Sequence, residues 1–147
     1  MSLVLAPARP VVSRVAWATL AVFLLAFIVL EVINHGGSAL VAALLLMVAP
    51  DLTMLIGARD GGDGRLSPRA VPYYNAMHRP WVPLAVLVVY SAGGLGSWVP
   101  LFTAALGWLA HIALDRAFGY GLRESDGTRR VSGGSGATAA PARQALP

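Results

Sequence analysis

Residues 15–33 read VAWATLAVFLLAFIVLEVI and residues 38–56 read SALVAALLLMVAPDLTMLI, with the short linker NHGG between them. A single acidic residue interrupts each run, Glu31 in the first and Asp51 in the second. The hydrocarbon core of a bilayer is about 30 Å thick and requires about 20 apolar residues of α-helix. The two runs therefore predict a pair of membrane-spanning helices, and the glycine-containing linker predicts a tight turn between them.

Two further apolar stretches extend the pattern to four spans. The third stretch is apolar over residues 81–92, which is short, and a helix that begins at about Val71 supplies the missing length. The fourth covers residues 98–118 and follows the glycine-rich turn at residues 93–97. Short turns make neighbouring helices antiparallel, and lipid admits only helices or closed barrels. We therefore expect an all-α fold, a four-helix transmembrane bundle.

The composition excludes several classes of protein. Hydrophobic residues make up 56% of the chain and charged residues 12%, against about 25% charged residues in a typical soluble domain. So few charged groups argue against a soluble enzyme, and the high hydrophobic content excludes wholesale disorder. The chain has no cysteine, which excludes disulfides, thiolate metal ligands and cysteine nucleophiles.

The basic residues predict the orientation of the bundle. All eleven are arginine, the net charge is +4, and neither tight turn contains one. Arginines precede the first span, lie between the second and third, and occur at the end of the fourth or beyond it. Cytoplasmic loops of membrane proteins carry the excess of basic residues, so we expect both termini in the cytoplasm. The arginines lie outside the apolar runs or at their ends, where the lipid boundary is expected. We therefore expect the chain to interact with the bilayer and not with nucleic acid.

We expect three segments along the chain. Residues 1–14 form a cytoplasmic N-terminal segment, residues 15–123 the transmembrane domain, and residues 124–147 a disordered cytoplasmic tail. The tail is rich in Gly, Ser, Ala, Thr and Pro, as low-complexity extensions are. The first apolar run exceeds the roughly 7–15 residues of a signal-peptide core, which favours a retained anchor.

Polar residues within the spans are the candidate functional residues. An ionisable side chain inside a span costs roughly 2.5–3.5 kcal/mol and therefore needs a partner or a wet cavity. The candidate polar cluster consists of Asp51, Asn75, His78, His111, Asp115 and Arg116.

Depth along the spans predicts that these residues meet. Asp51 and His111 each lie thirteen residues from the outer end of their span, which is roughly 20 Å of helix. Asn75 and His78 enter the same leaflet from its inner end. Asp115 lies four residues after His111 and shares its helix face. We therefore expect these side chains to converge near the cytoplasmic end of the bundle.

Two non-enzymatic interpretations of this cluster are open. In the first, the cluster is a structural hydrogen-bond network in which Asp115 orients His111, or a site for a small ligand. In the second, Asp51 and His111 form the relay of a proton-coupled carrier. Four short helices are few for a transporter, so a carrier would require a homo-oligomer.

The third interpretation is a metal site. Imidazole and carboxylate groups suit Zn, Fe or Mn, so Asp51, His78, His111 and Asp115 could coordinate a divalent cation. The chain would then be a metal-dependent hydrolase that acts on a lipid or amphiphile from the inner leaflet, because a metal can activate water. In that case Asn75 would orient substrate or water and Arg116 would contact a phosphate.

Three motifs resemble a known family. They are PDLTML at residues 50–55, YNAMH at residues 74–78 and WLAHIALDRAFGYGL at residues 108–122. Together they resemble the domain of unknown function DUF4260, a family of small bacterial integral-membrane proteins, over residues 15–123. Arg123 stands where that family often has lysine. The resemblance implies the fold class and a place in the bacterial inner membrane, and it implies no activity.

A looser resemblance connects the chain to membrane-bound metal-dependent hydrolases. They also combine a Pro-Asp pair in one span with a late His-x-x-x-Asp motif. This chain lacks their His-Arg-x-x-Thr-His signature, since Pro80 follows His78 and Arg79. The likeness to these enzymes is therefore an analogy.

Overall fold

The fold is all-helical, as the sequence predicts. The structure is a computed structural model, and it describes residues 9–60, 65–95 and 97–130. Within those ranges five α-helices follow one another, with a short 3₁₀ turn at Thr53–Leu55 after the second: α1 Arg9–His35, α2 Gly37–Leu52, α3 Val71–Met77, α4 Trp81–Ser91 and α5 Val99–Phe118.

Helix α5 lies at the centre of the bundle. It packs against α1, α2 and α4, and its middle turns are buried from Thr103 to Ala113 except at Ala104 and Trp108. Leu106 and Ala110 join Leu24 of α1 in the main hydrophobic core. The central position of α5 surrounds its residues Thr103 and His111 with protein.

The closest helix contact joins α2 and α5. A Cβ atom on Gly107 would collide with the backbone carbonyl of Ala43, so only glycine allows the observed approach. Ala39 and Ala43 are fully buried on the facing side of α2. Small residues at a crossing let two backbones approach closely.

The third apolar stretch is not one helix, and the prediction of a continuous helix from Val71 is wrong. Helix α3 ends at Met77 and α4 begins at Trp81. Pro80 has no backbone N–H, and it disfavours helical geometry at the preceding residue, Arg79. The break places His78 at a helix end, where its backbone carbonyl is free to accept bonds from other elements.

Two helical segments are long and apolar enough to cross a membrane, Val11–His35 and Gly37–Leu55. Helix α4 is apolar but only 11 residues long, about 17 Å at the rise of an α-helix. Helix α5 carries His111, Asp115 and Arg116 and does not reach the same apolar character. Two candidate membrane helices are therefore established, and the four-span arrangement stays a prediction.

A hydrogen-bonded turn follows α5. Gly119 adopts a left-handed conformation with φ of 87°, which ends the helix with a glycine cap. A single antiparallel bridge pairs Arg123 with Arg129, and Gly127 accepts a hydrogen bond from the Leu66 amide at 3.1 Å. Two bonds from Thr128 hold the pKa of the exposed Asp126 carboxyl below its ordinary value.

Hydrogen bonds within this turn extend to Arg130, inside the segment 124–147 that the sequence predicts as the tail. The Glu124 amide bonds to the Thr128 carbonyl at 2.9 Å, and Arg130 pairs with the Glu124 carboxylate at 2.7 Å. Local pairing of this kind is not visible in the composition of the segment. Residues 131–147 of the predicted tail lie outside the described residues.

Candidate metal centre

Four of the predicted residues meet at one point. Asp51 comes from the last turn of α2, His78 from the break after α3, and His111 and Asp115 from successive turns of α5. One nitrogen or oxygen atom of each side chain lies within 4.8 Å of the corresponding atom of every other. Three separate elements therefore deliver the two imidazoles and two carboxylates to a single cluster, which we call the His/Asp cluster.

The spacing of these atoms fits a tetrahedral cation. The two Nε2 atoms of His78 and His111 are 3.2 Å apart. His78 Nε2 lies 3.4 Å from an oxygen of each carboxylate, Asp51 and Asp115, and His111 Nε2 lies 3.6 and 3.7 Å from the same oxygens. Zinc bonds of about 2.0–2.2 Å give tetrahedron edges of about 3.3–3.6 Å. Five of the six edges are thus close to that range, and the sixth, between the Asp51 and Asp115 oxygens, lies within 4.8 Å.

The hydrogen bond of His78 determines which of its nitrogens faces the cluster as an acceptor. Its Nδ1 lies 2.8 Å from the Tyr74 carbonyl oxygen, and since a carbonyl only accepts, Nδ1 must donate. In the neutral imidazole the other nitrogen, Nε2, then carries a lone pair. This is the arrangement of a metal-ligating histidine whose second nitrogen is fixed by a backbone carbonyl.

With both imidazoles neutral and both carboxyls ionised, protons satisfy the cluster only in part. A neutral His111 with its proton on Nε2 supplies one donor to three acceptors, which are His78 Nε2 and the two carboxylates, at 3.2–3.7 Å. The remaining lone pairs then have no donor within the cluster. A shared cation would satisfy all four lone pairs at once, so the donor set fits a divalent metal.

The four side chains differ strongly in exposure. The side chains of His78 and His111 are 3% and 11% exposed, Asp115 is 22% exposed, and Asp51 is 48% exposed. The imidazoles thus form the buried base of the cluster, and its open side lies at Asp51.

Helix α5 also fixes the element that carries His78. The Trp108 indole Nε1 donates to the Met77 carbonyl at 2.6 Å, and the Arg116 guanidinium donates to the His78 carbonyl at 3.3 Å. The Tyr74 ring stacks on the His78 ring with 3.8 Å between the centroids. His78 is therefore held from its backbone, from its Nδ1 and across its ring face.

The structure does not bring Asn75 and Arg116 into the His/Asp cluster. The Asn75 amide exchanges two hydrogen bonds with the backbone of Arg123, at 2.8 and 2.9 Å, and anchors the turn after α5. The guanidinium of Arg123 lies 5.7 Å from the centre of the Tyr74 ring. Arg116 lies at the rim, where it holds the His78 carbonyl. The predicted six-residue cluster is thus four residues with two supporting neighbours.

Sequence reasoning missed the bond from Trp108. The sequence places this residue away from the ends of the spans, and packing is the simplest interpretation of an aromatic residue there. The signal for a further role is its N–H group, because a buried indole usually finds a hydrogen-bond acceptor. No spacing rule identifies the Met77 carbonyl as that acceptor, since it becomes free only where α3 ends.

The family comparison covers the whole site. A family model described as "Domain of unknown function (DUF4260)" matches residues 13–132. The match includes all four residues of the His/Asp cluster, as well as Asn75 and Arg116. No curated protein and no solved structure matches the chain.

Proposed function

We propose that this chain, which belongs to the DUF4260 family of unknown function, is an integral-membrane protein that binds one divalent cation in the His/Asp cluster. The observation that carries the proposal is the convergence of four potential ligand atoms within 4.8 Å, with five of their separations at 3.2–3.7 Å. Imidazole and carboxylate suit Zn, Fe or Mn, and four ligands at tetrahedral spacing favour zinc.

The outer surface of α1 and α2 supports the membrane location. In each candidate span only 17% of an 18-residue apolar stretch is buried, whereas the core helix of a soluble protein is mostly buried. Large apolar side chains on both helices are exposed, among them Val22, Phe23, Val29, Ile33, Val41, Leu45 and Val48. Soluble monomers rarely expose apolar patches of this extent, and a bilayer would cover them.

We propose four crossings, in which α3 and α4 together provide the third and α5 the fourth. A break in a helix at membrane depth is tolerated where it is buried in protein, and His78 at this break is buried. With the arginines inside, both termini are cytoplasmic and the His/Asp cluster lies near the inner face of the bacterial membrane.

Single cysteines test this topology, because the chain has none of its own. A membrane-impermeant thiol reagent applied to intact cells should label Leu95→Cys, in the exposed turn after α4, and spare Asp60→Cys, in the exposed loop after α2. The reason is that the two positions lie on opposite sides of the membrane. Opening the membrane should expose both to the reagent, and equal labelling in intact cells would contradict four crossings.

Metal content tests the proposed site. Protein purified in detergent should contain about one zinc per chain by elemental analysis, and His111→Ala should lose it, because the variant removes a buried ligand. The matched control is His35→Ala, which removes a histidine that pairs with Glu31 at 3.4 Å outside the cluster. Wild-type protein that neither contains nor takes up zinc, iron or manganese would refute the proposal.

A further inference from the structure

We infer that Asp51 is an exchangeable ligand and that the metal site accepts an anionic phosphate group in its place. The inference rests on the proposed metal site and goes beyond it, because a site with an exchangeable position binds ligands and a closed site only stabilises the fold. Structural zinc sites have four protein ligands, whereas catalytic sites have three and keep the fourth position for water or substrate.

The gradient of exposure separates Asp51 from the other three ligands. Its side chain is 48% exposed, while His78, His111 and Asp115 are 3%, 11% and 22% exposed. Among the described residues, the Asp51 carboxylate meets hydrogen-bonding or charged partners only at the two imidazoles. It can therefore turn away from the cluster without breaking any other contact of this kind.

Asp51 also differs from the other three ligands in its position in the chain. It follows Pro50 in the last turn of α2, where the helix passes into the 3₁₀ turn Thr53–Leu55. The other three ligands belong to α5 or to the segment that Trp108 and Arg116 bind to α5. The three form one anchored group of two imidazoles and one carboxylate, a ligand set that catalytic zinc sites use.

The net charge of the metal and its three anchored ligands indicates the class of ligand that could replace Asp51. A divalent cation with two neutral imidazoles and Asp115 alone carries a net charge of about +1, which Asp51 or another anion neutralises. Arg116 adds a positive charge beside the cluster, since its guanidinium reaches the His78 carbonyl at 3.3 Å. No carboxylate in the described part of the chain lies within 4.0 Å of that guanidinium. Guanidinium groups favour phosphate, whose several oxygens can accept more than one hydrogen bond.

An exchangeable coordination position would allow the metal to bind and polarise a ligand from outside the protein. A metal with an exchangeable position can bind a phosphate oxygen and polarise it. The phosphate group could belong to a lipid headgroup or be free in the cytoplasm, and both present the same oxygens to the metal. The site would then serve a phosphate-bearing compound that approaches from the cytoplasmic side.

Cobalt(II) is the probe for the experiment, because its visible spectrum reports ligand exchange. Purified wild type and Asp51→Ala are loaded with cobalt and titrated with inorganic phosphate, and Asp60→Ala serves as a control for loss of an exposed carboxylate outside the cluster. Asp51→Ala should retain one cobalt per chain and bind phosphate about tenfold more tightly than wild type. This factor corresponds to a position that Asp51 occupies about nine-tenths of the time. Asp60→Ala should behave as wild type.

A second titration distinguishes the two sources of phosphate. The cobalt proteins are placed in bilayers of phosphatidylcholine with and without phosphatidic acid, whose headgroup is a phosphate monoester. A spectral change with phosphatidic acid supports a lipid headgroup as ligand, and a change with inorganic phosphate alone supports a free phosphate compound.

The results that would overturn this inference differ from the result that would overturn the proposed metal site. Asp51→Ala that loses cobalt as His111→Ala does would show that Asp51 is an essential ligand and overturn the inference. Cobalt spectra that neither form of phosphate changes would overturn it too, while leaving the metal site in place. Wild type that takes up no cobalt would overturn the proposed metal site itself.

Discussion

Substitution of Gly107 by valine is expected to separate α2 from α5 and to abolish the His/Asp cluster with their packing. Even the first carbon of a side chain at this position would collide with the Ala43 backbone. Overpacking of a core costs about 1–3 kcal/mol where side chains can adjust, and a backbone obstacle cannot adjust in that way. We therefore expect more than this cost, seen as loss of the folded, monodisperse protein in size-exclusion chromatography and in a thermal unfolding scan.

The control for this variant is Gly37→Ala, at the start of α2. A Cβ at Gly37 meets no atom within 4 Å, so alanine should be tolerated and should raise stability by about 0.5–1 kcal/mol through the lower entropy of the unfolded chain. Gly107→Val protein with the unfolding temperature of wild type would contradict the close crossing of the two helices.

The contact between α2 and α5 at this crossing also determines where the two aspartates of the His/Asp cluster lie. Asp51 lies eight residues after Ala43, and Asp115 lies eight residues after Gly107. Eight residues are a little over two turns of helix, so two helices that touch at Ala43 and Gly107 and extend in the same direction bring the two aspartates to the same level. A one-residue insertion between Gly107 and His111 would rotate α5 by about 100° and turn both of its ligands away.

This arithmetic is also why much of the site could be predicted from the sequence. The rise per residue of a helix is constant, so counting from the ends of the apolar runs gives depth without coordinates. Asp51 and His111 are both thirteen residues from the start of their runs, and the structure places their side chains 3.6 Å apart. The all-α fold and the two long apolar helices follow from hydropathy in the same direct way.

The parts that could not be predicted depend on where regular helix stops. The need for a long enough span favours a continuous third helix, but Pro80 ends it locally, and this break frees the carbonyl groups of Met77 and His78. The expected convergence then fails for Asn75, whose partner is the Arg123 backbone 48 residues further along the chain. No periodic pattern in the sequence encodes a contact between an amide side chain and a distant turn.

Zinc is expected to stabilise the wild-type protein, and Asp115→Asn is expected to remove that stabilisation without greatly weakening the metal-free protein. At a free concentration one hundred times its dissociation constant, a ligand of the native state adds about 2.7 kcal/mol, which for a chain of this size is roughly 5–10 °C in unfolding temperature. The asparagine amide has the shape of the carboxylate and can donate its N–H to an imidazole, so the metal-free cluster keeps its contacts. The amide has no negative charge with which to bind the cation, however, so zinc should no longer raise the unfolding temperature.

The response of the unfolding temperature to zinc distinguishes a metal site from a structural network. If the cluster serves only as a hydrogen-bond network, zinc should leave the wild type unchanged, and Asp115→Asn should alter stability equally with and without zinc. Asp126→Asn is the matched control, since it makes the same substitution in the exposed turn after α5 and removes no ligand. A zinc-dependent rise in wild type and Asp126→Asn that is absent in Asp115→Asn would show that the cation binds where the two imidazoles and two carboxylates converge.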